Sequence, residues 1–249
     1  MTEYPNKEWF STWFDSPYYH ILYGHRDEDE ARNFLDRLTS LPFFKSAKRV
    51  ADVCCGKGRH ATYLHAKGFE VEGFDLSDAS IQHCLSMAKP GMRFQVHDIR
   101  EPFPSDGFDV VLNLFTSFGY FTNDQDHEKA LTNMGQALQT EGRLVIDFLN
   151  PDHVKSHLVA HESVSKEGLQ FIIHRAIEGN RLIKNIAFQH EGQQYDFEEN
   201  VALISLNDFR RYLAACGMEI VELFGNYELH PYDPVTSPRM ILIAQHTHA

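Results

Sequence analysis

Apolar residues recur along this chain in two alternating periods. Residues 27 to 40, DEDEARNFLDRLTS, open with acids suited to a helix N-terminus and then set Ala31, Phe34, Leu35 and Leu38 on one face, which predicts an amphipathic helix. RVADVC (49–54) reads as a short buried strand, GRHATYLHAKG (58–68) as a helix that Gly68 closes in a left-handed conformation, and FEVEGFDL (69–76) as a second strand. Ser77 caps a helix with Ile81, Cys84, Leu85 and Ala88 at helical spacing, and MRFQVHDI and GFDVVLNLF give a third and a fourth strand. Asp124 or Asp126 starts the next helix, with Leu131, Met134 and Leu138 inward, and GRLVIDFLN is a fifth strand ending at Pro151. Such alternation predicts a parallel sheet with right-handed crossovers and helices on both faces.

The pattern changes after Pro151. Residues 152 to 168 read as a short helix and loop, while LQFIIHRAIEG, NRLIKNIAFQHEG and QQYDFEENVALIS are strand-like and separated by Gly-Asn and Gly-Gln turns. The doubly wound pattern resumes with a helix at about 206 to 216, ended by Gly217, and two more strands, MEIVELF and RMILIAQ. The expected fold is α/β, a doubly wound, seven-stranded, mostly parallel sheet with an antiparallel β insertion after the fifth strand. The expected division is an N-terminal lid and helix over 1–40, an α/β domain over 41–151 and 205–249, and a cap over 152–204 above the carboxyl edge of the sheet.

A chain of 249 residues, 43% hydrophobic and 23% charged, has the composition of a soluble globular protein. Its N-terminus, MTEYPNKEWF, carries acids and a proline where a signal peptide needs a basic and then an apolar stretch, so a cytoplasmic location and no membrane association are expected. The formal charge, 23 − 35 = −12, opposes nucleic acid and favours a small or non-acidic substrate, and a homodimer is compatible with the composition. Cys54, Cys55, Cys84 and Cys216 include no CxxC pair, so neither disulfides nor a cysteine zinc site is expected. His153, His157 and His161 share the i, i+4, i+8 face of a helix, but no acid joins them; a solvated face is the default and no metal is expected.

The chemistry concentrates at VADVCCGKGRH (50–60). A glycine turn between a first strand and a first helix points backbone amides at the carboxyl edge, where open α/β sheets bind ligands. Gly56, Gly58 and Ala61 satisfy the loose G-x-G-x-x-A dinucleotide pattern, and Asp75 ends the second strand as a ribose-binding acid does. Asp52, inside the first strand, gives nothing to a pyrophosphate but can attract an ammonium group. Asp98 and Ile99, after the third strand, can bond an adenine amino group and ring nitrogen. Acids at three successive strand ends suit a ligand with a ribose, an adenine and an amino acid, namely S-adenosylmethionine.

With the strings CCGKGRHATYLHAKGFEVEGFDLS (54–77) and NLFTSFGYF (113–121), the chain resembles class I S-adenosylmethionine-dependent methyltransferases, in particular bacterial members with CCGxGRH and SFGYF motifs. The resemblance implies their Rossmann-like fold. It also implies that Asp52, Gly56 and Gly58 surround the methionine portion, that Asp75 beside Leu76 holds the ribose, that Asp98 and Ile99 frame adenine, and that Asn113 and Leu114 close the site under the sulfonium. Tyr18, Tyr19 and Tyr23 resemble the family's N-terminal tyrosines that fold over the cofactor, and Tyr120 is the candidate for positioning the acceptor. Cys54 departs from the pattern: it stands where many relatives have a first glycine, so its backbone is expected to avoid positive φ. A (D/N)PPY motif is absent, which counts against nucleic-acid bases as acceptors. Arg175, Tyr195, Tyr227 and Arg239 lie in or after the insertion and are by default exposed or snorkelling.

The implied function is methyl transfer to a small molecule, with S-adenosylhomocysteine as product. No compelling base is visible, which favours a nitrogen acceptor, since a hydroxyl calls for a base or metal. An NAD(P)-dependent oxidoreductase using the same loop and a non-catalytic cofactor-binding module stand as alternatives; Asp52, Asp98 and the terminal strand pair weigh against the first.

Overall fold

The computed structural model describes residues 9–23 and 28–247. Residues 1–8 and 24–27, which fall within the expected lid, lie outside the described residues, as do 248–249. The main sheet takes its strands from both parts of the chain: β1 (Arg49–Val53), β2 (Glu70–Asp75), β3 (Met92–Val96), β4 (Phe108–Asn113), β5 (Leu138–Leu149), β10 (Met218–Phe224) and β11 (Arg239–His246). Their order is β10-β11-β5-β4-β1-β2-β3, and only β11 runs antiparallel to its neighbours. The chain therefore leaves β1 on one side for β2 and on the other for β4, and a crevice opens at the carboxyl ends of β1 and β4.

Helices α3 (Glu28–Ser40), α5 (Arg59–Ala66) and α6 (Asp78–Met87) cover one face, where Phe34, Leu64 and Ile81 meet Val50, Val71 and Leu112. Helices α7 (Asp124–Gln136) and α9 (Leu206–Ala215) cover the other, where Leu131 and Phe209 meet Val53, Val111 and Ile146. α4 (Pro42–Lys45) is a single turn before β1. The doubly wound, seven-stranded expectation is the observed architecture. In α6 only part of the expected face is buried: Ile81 and Cys84 are inside, whereas Leu85 is exposed. Leu138 is buried, but as the first residue of β5 and not as part of α7.

After α8 (Pro151–Ser156) a separate antiparallel sheet forms in the order β6-β7-β8-β9, from β6 (His161–Lys166), β7 (Leu169–Glu178), β8 (Arg181–His190) and β9 (Gln193–Ala202). β6 replaces the expected loop: HESVSK has too little apolar content to announce a strand, and its order comes from the ladder with β7. The last hairpin turns on Glu191 and Gly192, both at positive φ, one residue before the expected Gly-Gln turn. Two aromatic-rich helices, α1 (Trp9–Trp13) and α2 (Pro17–Tyr23), pack Trp13 and Leu22 against Phe171, Ile173, Ile186 and Phe188 of this sheet. Tyr18, Tyr19 and Tyr23 thus sit on α2.

Candidate active site

The loop after β1 is held by the acids around it. Gly56 N donates to Asp75 Oδ2 at 2.7 Å and Ser77 N donates to Asp75 Oδ1 at 2.9 Å, so Asp75 ties the turn to the end of β2. Burial raises the Asp75 pKa even though these amides favour its charged form. From inside β1, Asp52 Oδ2 accepts the Ala61 amide at 3.1 Å and so caps the first turn of α5 from below. Burial pushes its carboxyl up to about 7. Cys54 contradicts the sequence expectation: it takes φ 62 itself, a left-handed conformation that costs a side-chain residue about 1 kcal/mol or more. Its neighbour Cys55 is buried and donates Sγ to Gly56 O, as Cys84 does at 3.4 Å.

The two glycines differ in what they permit. A Cβ on Gly56 (φ 53) meets nothing within 4 Å, so that turn faces open space. At Gly58 (φ 74) a Cβ would lie 2.9 Å from Cys84 Sγ and 3.3 Å from the Phe94 ring, which makes this glycine a packing requirement under α6 and β3.

Asp98 lies beside Arg100, whose Nη2 and backbone N donate to its carboxylate at 2.7 and 2.9 Å. Burial pulls its pKa upward, but these bonds outweigh it and hold the carboxyl below the ordinary carboxylate range. Asn113, fully buried at the end of β4, donates Nδ2 to Val53 O and Ser117 O at 3.4 and 3.3 Å, while its Oδ1 has no partner among the described residues. Beyond it Phe115 and Thr116 both adopt positive φ, and Asp147 pins them: its Oδ2 accepts Phe115 N at 2.8 Å and its backbone oxygen accepts Thr116 N at 3.0 Å. Arg239 holds Asp147 from the other side at 2.7 Å, and Tyr227 OH donates to it at 3.1 Å. Arg239 is therefore half of a buried ion pair and not a snorkelling side chain. Tyr195 packs flat on Phe188 inside the cap sheet.

Two connected spaces open at this edge. A small cavity of about 130 Å³ is lined by Gly56, Asp75, Leu76, Asp98 and Ile99 from the strand ends, by Tyr120, and by Phe10, Tyr19 and His20 from the N-terminal helices. A larger groove of about 990 Å³ shares Tyr19, His20, Cys54, Gly56 and Tyr120 with it and continues past Asp52, Leu114 and Tyr23 to the cap strands. Gly58 and Asn113 line neither space, and Tyr18 faces the cap, its hydroxyl 2.9 Å from His190 Nδ1. Tyr120 OH donates to Thr116 O at 2.5 Å, which braces the left-handed turn.

Phe14, His20 and His60 are among the lining residues that the sequence does not announce. Phe14 follows directly on α1 and His20 lies on α2, helices too short to show a period, and His60 stands in the CCGKGRH string without a motif role of its own. His60 stacks on Phe115 with ring centroids 5.0 Å apart, and burial lowers its pKa to about 3. Burial likewise lowers His20 to about 4, so both rings are neutral near pH 7. His153 on α8 stacks with His157 at its C-cap, whereas His161 lies on β6 beside His174, so the three histidines share no helix face. Among the described residues no cluster of three metal-ligating side chains forms, and no helix is long and apolar enough to cross a membrane.

Comparison with known proteins meets this geometry. Residues 50–142 match the family described as "Methyltransferase domain". Glycine N-methyltransferase from Oryctolagus cuniculus is 33% identical over 127 residues, 44% of this chain and 43% of that protein. The chain spans about half the length of the curated relatives it matches first. A crystal structure of an S-adenosylmethionine-dependent methyltransferase from Clostridium acetobutylicum ATCC 824 superposes with a TM-score of 0.77 at 16% identity, over 93% of this chain and 96% of that one. An amino pentose methyltransferase from Micromonospora echinaspora, solved with S-adenosylmethionine bound, superposes with a TM-score of 0.70 at 22% identity, over 93% and 98%. Residues 50–142 are thus similar to methyltransferase domains, and the chain as a whole shares the fold of S-adenosylmethionine-dependent methyltransferases.

Proposed function

We propose that this protein transfers a methyl group from S-adenosylmethionine to a small molecule, at a nitrogen atom. The observation that carries the reading is the small cavity of about 130 Å³, where Asp75 with Leu76 and Asp98 with Ile99 converge from two successive strand ends. The donor set fits the cofactor: Asp75 for the ribose hydroxyls, Asp98 for an exocyclic amine, Asp52 and the Gly56 turn for the amino acid portion. When bound, the cofactor supplies a methyl group already activated on a sulfonium.

The chain's own work is then to position and enclose. Phe14, Tyr19, Cys54 and Tyr120 line both spaces and stand at the passage from cavity to groove, where their side chains keep water from the reacting atoms. Neutral His20 adds no charge that would repel a sulfonium. A nitrogen acceptor needs only to arrive deprotonated, in keeping with a site whose histidines are too weakly basic to extract a hydroxyl proton. The N-methyltransferase and amino pentose methyltransferase likenesses support the same choice.

Calorimetry of the full chain with S-adenosylmethionine, S-adenosylhomocysteine and NADH tests the reading. Micromolar binding of the first two and none of NADH is expected; binding of NADH alone would return the site to an oxidoreductase. A methyl-acceptor screen that yields no turnover in cofactor-binding protein would leave a binding module.

A further inference from the structure

The charges on the cap side of the large groove are matched within the protein. Arg175 Nη2 lies 2.6 Å from Glu162 Oε2, while Lys184 Nζ lies 3.5 Å from Glu199 Oε2 and also donates to Tyr23 OH. Glu199 Oε1 accepts Trp13 Nε1 at 2.8 Å and Tyr23 OH at 2.6 Å, so this carboxylate is fully engaged. The other acids that line the groove serve elsewhere: Asp52 caps α5 beneath the glycine turn, and Glu30 stands exposed on α3, where it acts on Arg239.

What the cap adds to the groove is apolar. Register aligns Ile177, Leu182 and Val201 across β7, β8 and β9, and Leu182 and Val201 line the groove together with Leu149 from the end of β5. Trp9, Phe14, Tyr19 and Tyr120 continue this wall. Their rings pack edge to face, Trp9 and Tyr120 at 5.2 Å and 79°, Phe14 and Tyr19 at 5.0 Å and 76°. Rings arranged in this way turn their faces to one another's edges, which favours an apolar guest over a cation.

A nitrogen nucleophile has to reach the methyl group without its proton. An aliphatic amine, with a pKa of about 10 as in lysine, enters as a cation and needs a carboxylate to hold it and a base to discharge it. Among the described residues the cap side offers no unengaged carboxylate, and His20 and His60, at about 4 and about 3, are too weakly basic to take the proton. We propose that the acceptor is an uncharged aromatic nitrogen compound, an arylamine or a weakly basic ring nitrogen, whose rings lie against Leu182, Val201 and Trp9. The proposal rests on the methyltransferase reading and narrows it: the net charge of −12 draws cations to the molecule, whereas this wall gives them no partner.

The test uses matched probes at pH 7.5 on the full chain saturated with S-adenosylhomocysteine: 2-aminonaphthalene against 2-(aminomethyl)naphthalene, and isoquinoline against 1,2,3,4-tetrahydroisoquinoline. Calorimetry is expected to show the neutral member of at least one pair binding at least about tenfold more tightly, and the pair that discriminates tells an arylamine from a ring nitrogen. Leu182→Asp sets a carboxylate in the wall and should reverse that preference, whereas Leu182→Asn should weaken the neutral probe without reversal. S-adenosylhomocysteine affinity within about twofold of the wild type reports that each variant folds, and Val201→Asp takes the place of Leu182→Asp if the latter does not. Equal binding within both pairs, tighter binding of the cationic members, no binding by any of the four probes, or a preference left unchanged by the introduced carboxylate overturns the proposal. Failure of S-adenosylhomocysteine to bind the wild type overturns the methyltransferase reading instead, and the same pairs titrated into the cofactor-free protein still report on the wall.

Discussion

Asp52 caps α5 and, in the proposed function, faces the cofactor's ammonium group, and the two roles pull its protonation in opposite directions. As an internal cap for α5 it is buried with one amide, and burial pushes its pKa up to about 7. Because the folded value lies above the unfolded one near 4, its contribution to stability is present below about pH 4 and lost as the pH rises towards 7. A ligand ammonium reverses that preference, since it favours the charged carboxylate. Cofactor affinity should therefore rise by up to about tenfold per pH unit as the pH approaches 7, and level off above it. Calorimetry with S-adenosylhomocysteine from pH 5.5 to 8.5 checks this, and in Asp52→Asn the slope should vanish; a flat wild-type profile would show that Asp52 serves α5 alone. Asp75→Ala should lose about 1–3 kcal/mol of cofactor affinity, and unchanged binding would remove Asp75 from the ribose site. The strand-end positions of these acids were legible in the sequence, because a strand followed by a glycine turn fixes where its last residues stand. Their second duties were not: the amides of Ala61, Gly56 and Ser77 reach Asp52 and Asp75 only through the tertiary fold. Cys54 shows the limit from the other side, since a chain can accept a left-handed cysteine where neighbouring strands hold it.

At the scale of elements, the segment after β4 is a strained turn held by a buried ion pair. Phe115 and Thr116, at φ 57 and 59, store roughly 1–2 kcal/mol each, and Asp147 with Arg239 keeps them there. Arg239→Met strands the carboxylate of Asp147, which is 0% exposed, and should cost about 3–5 kcal/mol in urea unfolding. Asp147→Asn added to Arg239→Met should recover part of that loss, because it removes the unpaired charge; no recovery would mean that the pair acts mainly by packing. The strands of this region were visible as apolar runs, whereas the pairing of Asp147 with a residue on the last strand leaves no local trace. The same reasoning explains β6, whose polar sequence becomes a strand because β7 offers it a ladder, and α1 and α2, too short for a helical period and fixed by aromatic packing on the cap.

The whole molecule links cap and cofactor site through those two helices. Position in the sequence alone makes the cap a separable lid, an insertion that leaves after β5 and returns at α9. The packing argues otherwise. Trp13 is 1% exposed, lies 4.5 Å from the Phe197 ring and donates to Glu199, so α1 rests on the cap, while Phe10, Phe14, Tyr19 and His20 of the same N-terminal segment line the small cavity. Replacing residues 170–200 by a short Gly-Ser link should thus abolish turnover and also weaken S-adenosylhomocysteine binding by at least about tenfold, the equivalent of losing one or two buried aromatic contacts. The main sheet should survive, since β7 and β8 give its two cores only the partly buried Ile177 and Leu182 at their margin, and far-UV circular dichroism with a cooperative urea transition would verify it. The milder change Trp13→Ala separates the causes: it keeps the cap and removes its largest contact with α1. A fall in cofactor affinity in both proteins places the link in α1 and α2, whereas full affinity in the deletion would show that the small cavity holds its ligand without them.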